Sequence, residues 1–398
     1  MLGEYAGLLK KAVFIWILLC IIFLSPDRNA CASEADIEVF SVSQAVESLD
    51  FTVLEEYKKK IDGEINSYLE NKTVKDWVIA FIKGEWKFDY KELINSITGY
   101  LFKEIKANTG LLGKLLLLAV LSALLINLQT SFASGIGQIA YMACFLALCA
   151  IALGSFKLVL DIGLTTVNNM VSFMVGLLPQ MAVLVAGLGN INTSVMIFPL
   201  VMGATSFFAN AIKNIVFPLI IMSALLHLIN NMTDSLKVAR MAKFFTQVAQ
   251  LALGLFLTVF VGIFTLKALY ASVLDKVTLR TTKFITDNAI PVVGKMFSDT
   301  LEVAAGYIVL LKQAVTVYGV LIILGIVLFP VLKIAVIALI YKIASALAEP
   351  LGDGRTATIL EIMSAHLFLM MSAVAAVSLM FLIMIVIVAS LSNYAMVR

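Results

Sequence analysis

Charged side chains set inside long apolar stretches are the residues of this sequence best placed to do chemistry. An ion in hydrocarbon is costly and tends to mark a pathway, a relay or a gate. Lys312 stands about ten residues into such a stretch, too deep for its stem to carry the ammonium easily to the headgroups. Lys333 and Lys342 follow on the next stretch, at a spacing that puts them on similar faces of a helix. Asp161 leads a polar cluster with Asn168, Asn169 and Gln180. Groups of that kind coordinate a substrate or bond to neighbouring helices, and the second role is the commoner. Lys157, Lys213 and Lys267 lie near the ends of stretches, where the ammonium reaches the interface.

Other chemistries find no support. The two histidines, His227 and His366, have no metal-ligand neighbour at i+4, and no G-x-S-x-G elbow occurs. Gly110-x-x-Gly113-Lys114 is too short for a phosphate loop and lacks the following Ser or Thr. The expectation is therefore no enzyme, no catalytic residue, no metal and no cofactor, with any energy drawn from a partner or a gradient.

The elements that position these residues are dictated by composition. Of 398 residues 61% are hydrophobic and mean hydropathy is +1.00, far above a soluble domain. The net charge of +3 hides an asymmetry. Residues 33–110 hold 10 Lys and 15 Asp or Glu, whereas residues 111–398 hold 16 basic and 9 acidic groups. That balance gives no ground for a nucleic-acid partner; the lipid bilayer is the partner composition demands. Lys10-Lys11, the apolar Ala12–Leu24 and Ala30-Cys31-Ala32 read as a signal peptide over 1–32, which would deliver 33–110 across the membrane. Of the four cysteines, Cys144 and Cys149 share one apolar stretch and are expected to be small core groups.

Residues 33–110 carry three amphipathic patterns and are expected to form a small extracytoplasmic helical domain. Leu54, Tyr57, Ile61, Ile65, Tyr68 and Leu69 make one stripe, Val74, Trp77, Val78, Phe81 and Ile82 a second, and Leu93, Ile94, Ile97, Tyr100, Leu101 and Ile105 a third. Thr52-x-x-Glu55 and Asp89-x-x-Glu92 fit capping boxes. Residues 111–398 form a polytopic domain, with spans expected at 111–128, 135–156, 170–188, 195–212, 215–229, 248–270, 303–329, 331–348 and 367–392. The fold class is all-α, a transmembrane helical bundle of about seven to nine spans.

Segment 271–302 holds four basic and four acidic residues between apolar ones, and reads as an interfacial or re-entrant helix bent at Pro291. Two proline contexts recur 112 residues apart, Pro179 with Pro291 and Pro218 with Pro330, suggesting repeat units 158–270 and 271–398. Loop 230–247 is basic and expected inside, whereas 349–366 is acidic and has no reason to stay there. Opposite placement would make the halves inverted, with working sites at their interface. Pro179, Pro218, Pro291, Gly294, Asp299 and Pro330 are thus candidates for gating, beside Lys312, Lys333, Lys342 and Asp161 for a pathway.

The stretch Ile290-Pro291-Val292-Val293-Gly294-Lys295-Met296-Phe297-Ser298-Asp299, with Leu177-Leu178-Pro179 and Ala186-Gly187, resembles the stage III sporulation protein AE family of endospore-forming Firmicutes. The resemblance implies a multi-pass protein of the mother-cell membrane around the forespore, in a channel-like secretion complex. Its implied partners are the other membrane proteins of the stage III sporulation A operon, including a secretion-type ATPase, and forespore stage II sporulation protein Q. It carries over no catalytic residue. A stand-alone secondary transporter and a structural assembly anchor are the alternatives.

Overall fold

The computed structural model describes residues 51–60, 73–86, 90–131, 135–188, 191–232, 237–289 and 293–390. All of them belong to one compact unit, Val46–Arg398. The signal-peptide reading of 1–32 lies outside the described residues. No strand occurs among the described residues.

Three short helices come first: α1 (Thr52–Lys60), α2 (Val74–Ile82) and α3 (Tyr90–Ala107). A reciprocal capping box starts α2, formed by Thr73 and Asp76. The Asp76 N–H donates to Thr73 Oγ1 over 3.2 Å, and the Thr73 N–H to Asp76 Oδ2 over 3.3 Å. This pair answers two orphan donors, whereas Thr52 is already helical and Asp89 lies outside the described residues. Past α2 the chain turns at Gly84, whose φ of 71° is a left-handed conformation that favours glycine.

The apolar stripes of α1 and α2 dock on the membrane domain. Tyr57 meets Phe173 edge-on at 5.3 Å, and Trp77 meets Tyr318 at 4.9 Å. On α3, Tyr100 packs on Phe329 at 4.4 Å. The rest of that stripe does not all go inward: Ile94 and Ile105 are exposed, with Phe102 beside them.

The membrane domain consists of α4 (Thr109–Ser131), α5 (Gly135–Gly187), α6 (Ile191–Ala211), a π turn (Ile212–Val216), α7 (Phe217–Met232), α8 (Ala239–Ala289), α9 (Val293–Ala348), a 3-10 turn (Glu349–Leu351) and α10 (Gly354–Ser390). Six stretches among the described residues are long and apolar enough to cross a membrane: Thr109–Asn127, Ile139–Gly187, Ser194–Met232, Ala239–Lys267, Ile308–Leu351 and Gly354–Ala389. Composition predicts about seven to nine spans; the structure joins three adjacent pairs of the nine candidate stretches into single rods. Pro179 and Pro330 sit inside α5 and α9 without ending them. A broken helix in apolar surroundings would orphan several backbone groups, a larger cost than the one bond proline removes. Before Pro218 the π turn places Asn214, the residue whose carbonyl the proline ring would strike, in a wider coil.

Joining spans changes the topology. Two rods, α8 and α9, separate loop 230–247 from loop 349–366, where three crossings were expected, so both lie at one end of the bundle. Ala242 and His366 both contact Ser223. The inverted placement that loop charges suggest is therefore not what the chain adopts. Residues 271–289 belong to α8 and residues 293–302 to α9. Pro291 lies outside the described residues; the backbones of Gly294 and Asp299 lie in α9, and their side chains are outside the description.

At the centre α9 and α10 run antiparallel, with Ser345 bonded to the Ala357 carbonyl and Ser364 to the Ala338 carbonyl. Against them α5 is drawn close by glycine. A Cβ at Gly319 would lie 3.0 Å from Leu177, and one at Gly163 would lie 3.3 Å from Val374 and 3.4 Å from Phe217.

Candidate functional site

Four polar constellations interrupt the apolar bundle, and helix packing builds each from residues far apart in sequence. Near the shared end of α7, α8 and α10, Ser223 Oγ lies 2.9 Å from His366 Nε2, 2.8 Å from the Ala242 carbonyl and within hydrogen-bond reach of Thr246 Oγ1. His366 Nδ1 is 2.8 Å from the Ile362 carbonyl. A carbonyl only accepts, so Nδ1 carries the proton and, in the neutral ring, Nε2 accepts from Ser223. Were the ring charged, Nε2 would donate and the Ser223 hydroxyl would turn to Ala242. The group has a hydrogen-bond pattern for either state, and His227 stands beside it.

A serine 2.9 Å from an imidazole has the spacing of nucleophile and base. Here, however, Ser223 is wholly buried and Nδ1 is held by a backbone carbonyl rather than a carboxylate. Holding or passing a proton is the chemistry this arrangement permits.

Asp353 forms the second constellation. It caps α10, accepting the Thr356 N–H on Oδ1 at 3.0 Å. Its Oδ2 accepts the hydroxyls of Ser122 and Thr356, each at 2.5 Å, and Oδ1 that of Tyr141 at 3.4 Å. Asp353 is fully buried and ties α4, α5 and α10 at one corner. The turn before it uses Gly352 at φ 90°. In the sequence the spacing Asp353-x-x-Thr356 is the signal of this cap.

Lys312 is also fully buried, and its Nζ donates to the Ala389 carbonyl over 2.6 Å. This charge-assisted bond gives the ammonium a partner inside the apolar bundle. A fourth group crosses the bundle where the paired stretches join. Lys213 Nζ donates to Asn168 Oδ1 over 3.1 Å, Lys333 pairs with the buried Glu104 of α3 at 3.6 Å, and Lys342 with Glu361 at 2.6 Å on the surface. Asp161, Pro179 and Pro218 are exposed and Pro330 half-buried. The structure therefore does not gather the sequence candidates into one pocket: Lys312 sits near one end of an apolar segment of α9 and Lys333 at the other.

Outside the spans, burial holds the Lys58 ammonium of α1 below its ordinary pKa, opposed by the Glu55 carboxylate. No group of three or more His, Cys, Asp or Glu among the described residues is placed to hold a metal ion.

A family model described as stage III sporulation protein AE matches residues 72–392. The chain is similar to stage III sporulation protein AE of Bacillus subtilis (strain 168), at 33% identity over 394 residues, covering 96% of this chain and 98% of that protein. No solved structure matches it. A helical bundle with apolar stretches long enough to cross a membrane, matched from α2 to the end of α10, is a multi-pass membrane protein of sporulation, and the chain belongs to the stage III sporulation protein AE family.

Proposed function

We propose that this protein is an integral membrane subunit of a multiprotein conduit that links the mother cell with the forespore during sporulation. Its partners in this reading are the other membrane proteins of the stage III sporulation A operon, their secretion-type ATPase, and stage II sporulation protein Q across the intermembrane space. It resides in the mother-cell membrane, with residues 33–110 on the extracytoplasmic side.

One observation carries the reading. The predominantly apolar stretch of α5, Ile139–Gly187, is helical throughout its 49 residues, with Lys157 and Asp161 its charged residues. At 1.5 Å per residue that is about 70 Å, more than twice a hydrocarbon core of about 30 Å. Bare apolar side chains occur near both ends of it, Ile139 at 73% and Val183 at 65% exposure. Whichever part lies in lipid, the other needs protein against it, which a lone permease does not provide and a multi-subunit assembly does.

The test is affinity purification of the full chain from sporulating cells under mild detergent. Sister operon proteins should co-purify, and cells lacking the protein should fail in forespore development. A lone, stable monomer that moves a solute in liposomes would refute the conduit.

A further inference from the structure

We infer that α1 is a strap with two docked positions on α9, and that in the second the Glu55 carboxylate accepts the Tyr318 hydroxyl. The inference concerns how firmly α1 and α2 are held on the bundle, and stands apart from the conduit reading.

Ser122, Thr205, Ser223, Ser345 and Ser364 are all buried and all hydrogen-bonded. Among the described residues three buried side-chain polar atoms have no such partner: Trp77 Nε1, Tyr318 Oη and Ser378 Oγ. A serine can turn to the carbonyl one turn back along its own helix. An indole N–H or a tyrosine hydroxyl stands at the far edge of its ring and needs a partner from a neighbouring element. Trp77 and Tyr318 touch each other across the junction of α2 with α9, ring centroids 4.9 Å apart and planes inclined at 59°. The indole only donates, so this junction is short of a hydrogen-bond acceptor. Leaving a buried donor unmet is costly, and two of the three unmet atoms fall at this one contact.

The acceptor stands on α1. Phe51, Leu54, Glu55 and Lys58 follow one another at three- and four-residue spacing, on the face by which α1 packs against α5 and α9. Phe51 and Leu54 are buried, whereas Glu55 and Lys58 are half-buried, a charged pair set into an apolar face. The Glu55 carboxylate is close enough to Tyr318 and to Lys58 for its charge to act on both. In the arrangement observed, the Tyr318 hydroxyl is not hydrogen-bonded to it. Rotation about the glutamate side chain, with a small shift of a nine-residue helix, brings the two together. Two attractions therefore compete for one carboxylate. Lys58 draws it along α1 by charge. Tyr318 offers it a charge-assisted hydrogen bond in dry surroundings, which is the stronger kind. Latching meets the orphaned hydroxyl and fastens α1 to α9; release returns the carboxylate to Lys58.

The experiment follows protease cleavage before α3 in the full-length protein, held in open membrane fragments. Lys58→Met frees the carboxylate from its competitor and should slow cleavage by about tenfold. Removing a half-buried ammonium strengthens docking by itself, so the comparison between backgrounds decides. In Tyr318→Phe, or in Glu55→Ala, no latch remains to be favoured. There Lys58→Met should slow cleavage by about twofold or less. The Glu55→Ala background makes the comparison without touching the bundle, so the test survives if Tyr318→Phe fails to accumulate. An equal effect of Lys58→Met in the parent and in either background would overturn the proposal. The lysine would then act on docking without the carboxylate or without the hydroxyl.

Discussion

His227 and His366 come from α7 and α10 and stand with ring centroids 5.4 Å apart, planes inclined at 66°. They are the two histidines of the whole chain. The contact is made possible by Ser223, one turn before His227, which bonds the His366 ring and so fixes the register of the two rods. Removing that hydroxyl by Ser223→Ala leaves a buried ring nitrogen without a partner, and should cost about 1–3 kcal/mol in thermal unfolding of the solubilised protein. His366→Leu leaves Ser223 its second acceptor at Ala242. The double variant should therefore be less destabilised than the summed singles, by roughly 0.5 kcal/mol or more. Strict additivity would show that the hydrogen bond carries no coupling.

Lys312 bonds the Ala389 carbonyl of α10 from within the bundle, so its replacements separate charge from volume. Lys312→Met keeps the bulk and removes the cost of a buried ion, and should leave stability within about 1 kcal/mol of the parent. Lys312→Ala opens a cavity and should cost about 2–4 kcal/mol. Lys312→Glu sets a carboxylate against the Ala389 carbonyl and should not accumulate. Immunoblots of membrane fractions rank the three. If Lys312→Met accumulates normally yet abolishes spore formation, the ammonium has a role beyond that hydrogen bond.

Trp77 is the anchor of the docked helices. It is wholly buried against Tyr318, with Trp86 at 5.2 Å and Phe81 at 5.4 Å. Trp77→Ala should cost about 3–5 kcal/mol of docking and expose the region before α3 to protease, with α4–α10 left resistant. Trp77→Phe should be far milder, because it keeps ring contact and removes an indole N–H that has no hydrogen-bond partner. Limited proteolysis of membrane vesicles reads both.

Gly163 sets the approach of α5 to α10 and α7. Gly163→Leu pushes into Val374 and Phe217 and should destabilise by about 1–3 kcal/mol. Gly154, on the same helix, has nothing within 4 Å of its would-be Cβ. Gly154→Leu should change stability by no more than about 0.5 kcal/mol. Equal effects of the two would remove the packing explanation.

Glu104 and Lys333 pin the end of α3 to α9. Charge reversal by Glu104→Lys should loosen that joint and raise protease cleavage between α3 and α4. Lys333→Glu in the same chain should restore protection, though by less than about 1 kcal/mol because Lys333 is partly exposed.

What the sequence by itself determined is the solvent of each segment. Transfer free energy is a sum over residues, so the apolar run from 111 onward declares a membrane, and the stripe Val74, Trp77, Val78 declares a buried face on α2 without any partner in view. It could not say what Trp77 is buried against, because Tyr318 carries no mark of that pairing. Nor could it tell a proline that ends a helix from one the bundle holds straight. Pro330 reads as a break between 303–329 and 331–348, yet the helix runs through it, because ending it in apolar surroundings would orphan more backbone groups than the one bond proline removes. That one decision, made in tertiary structure, merges spans, changes the parity of crossings and brings loop 349–366 to the same end as loop 230–247. It also places His366 beside Ser223, 143 residues away along the chain. Contacts over such distances depend on register between rods, and register is decided only when the rods pack.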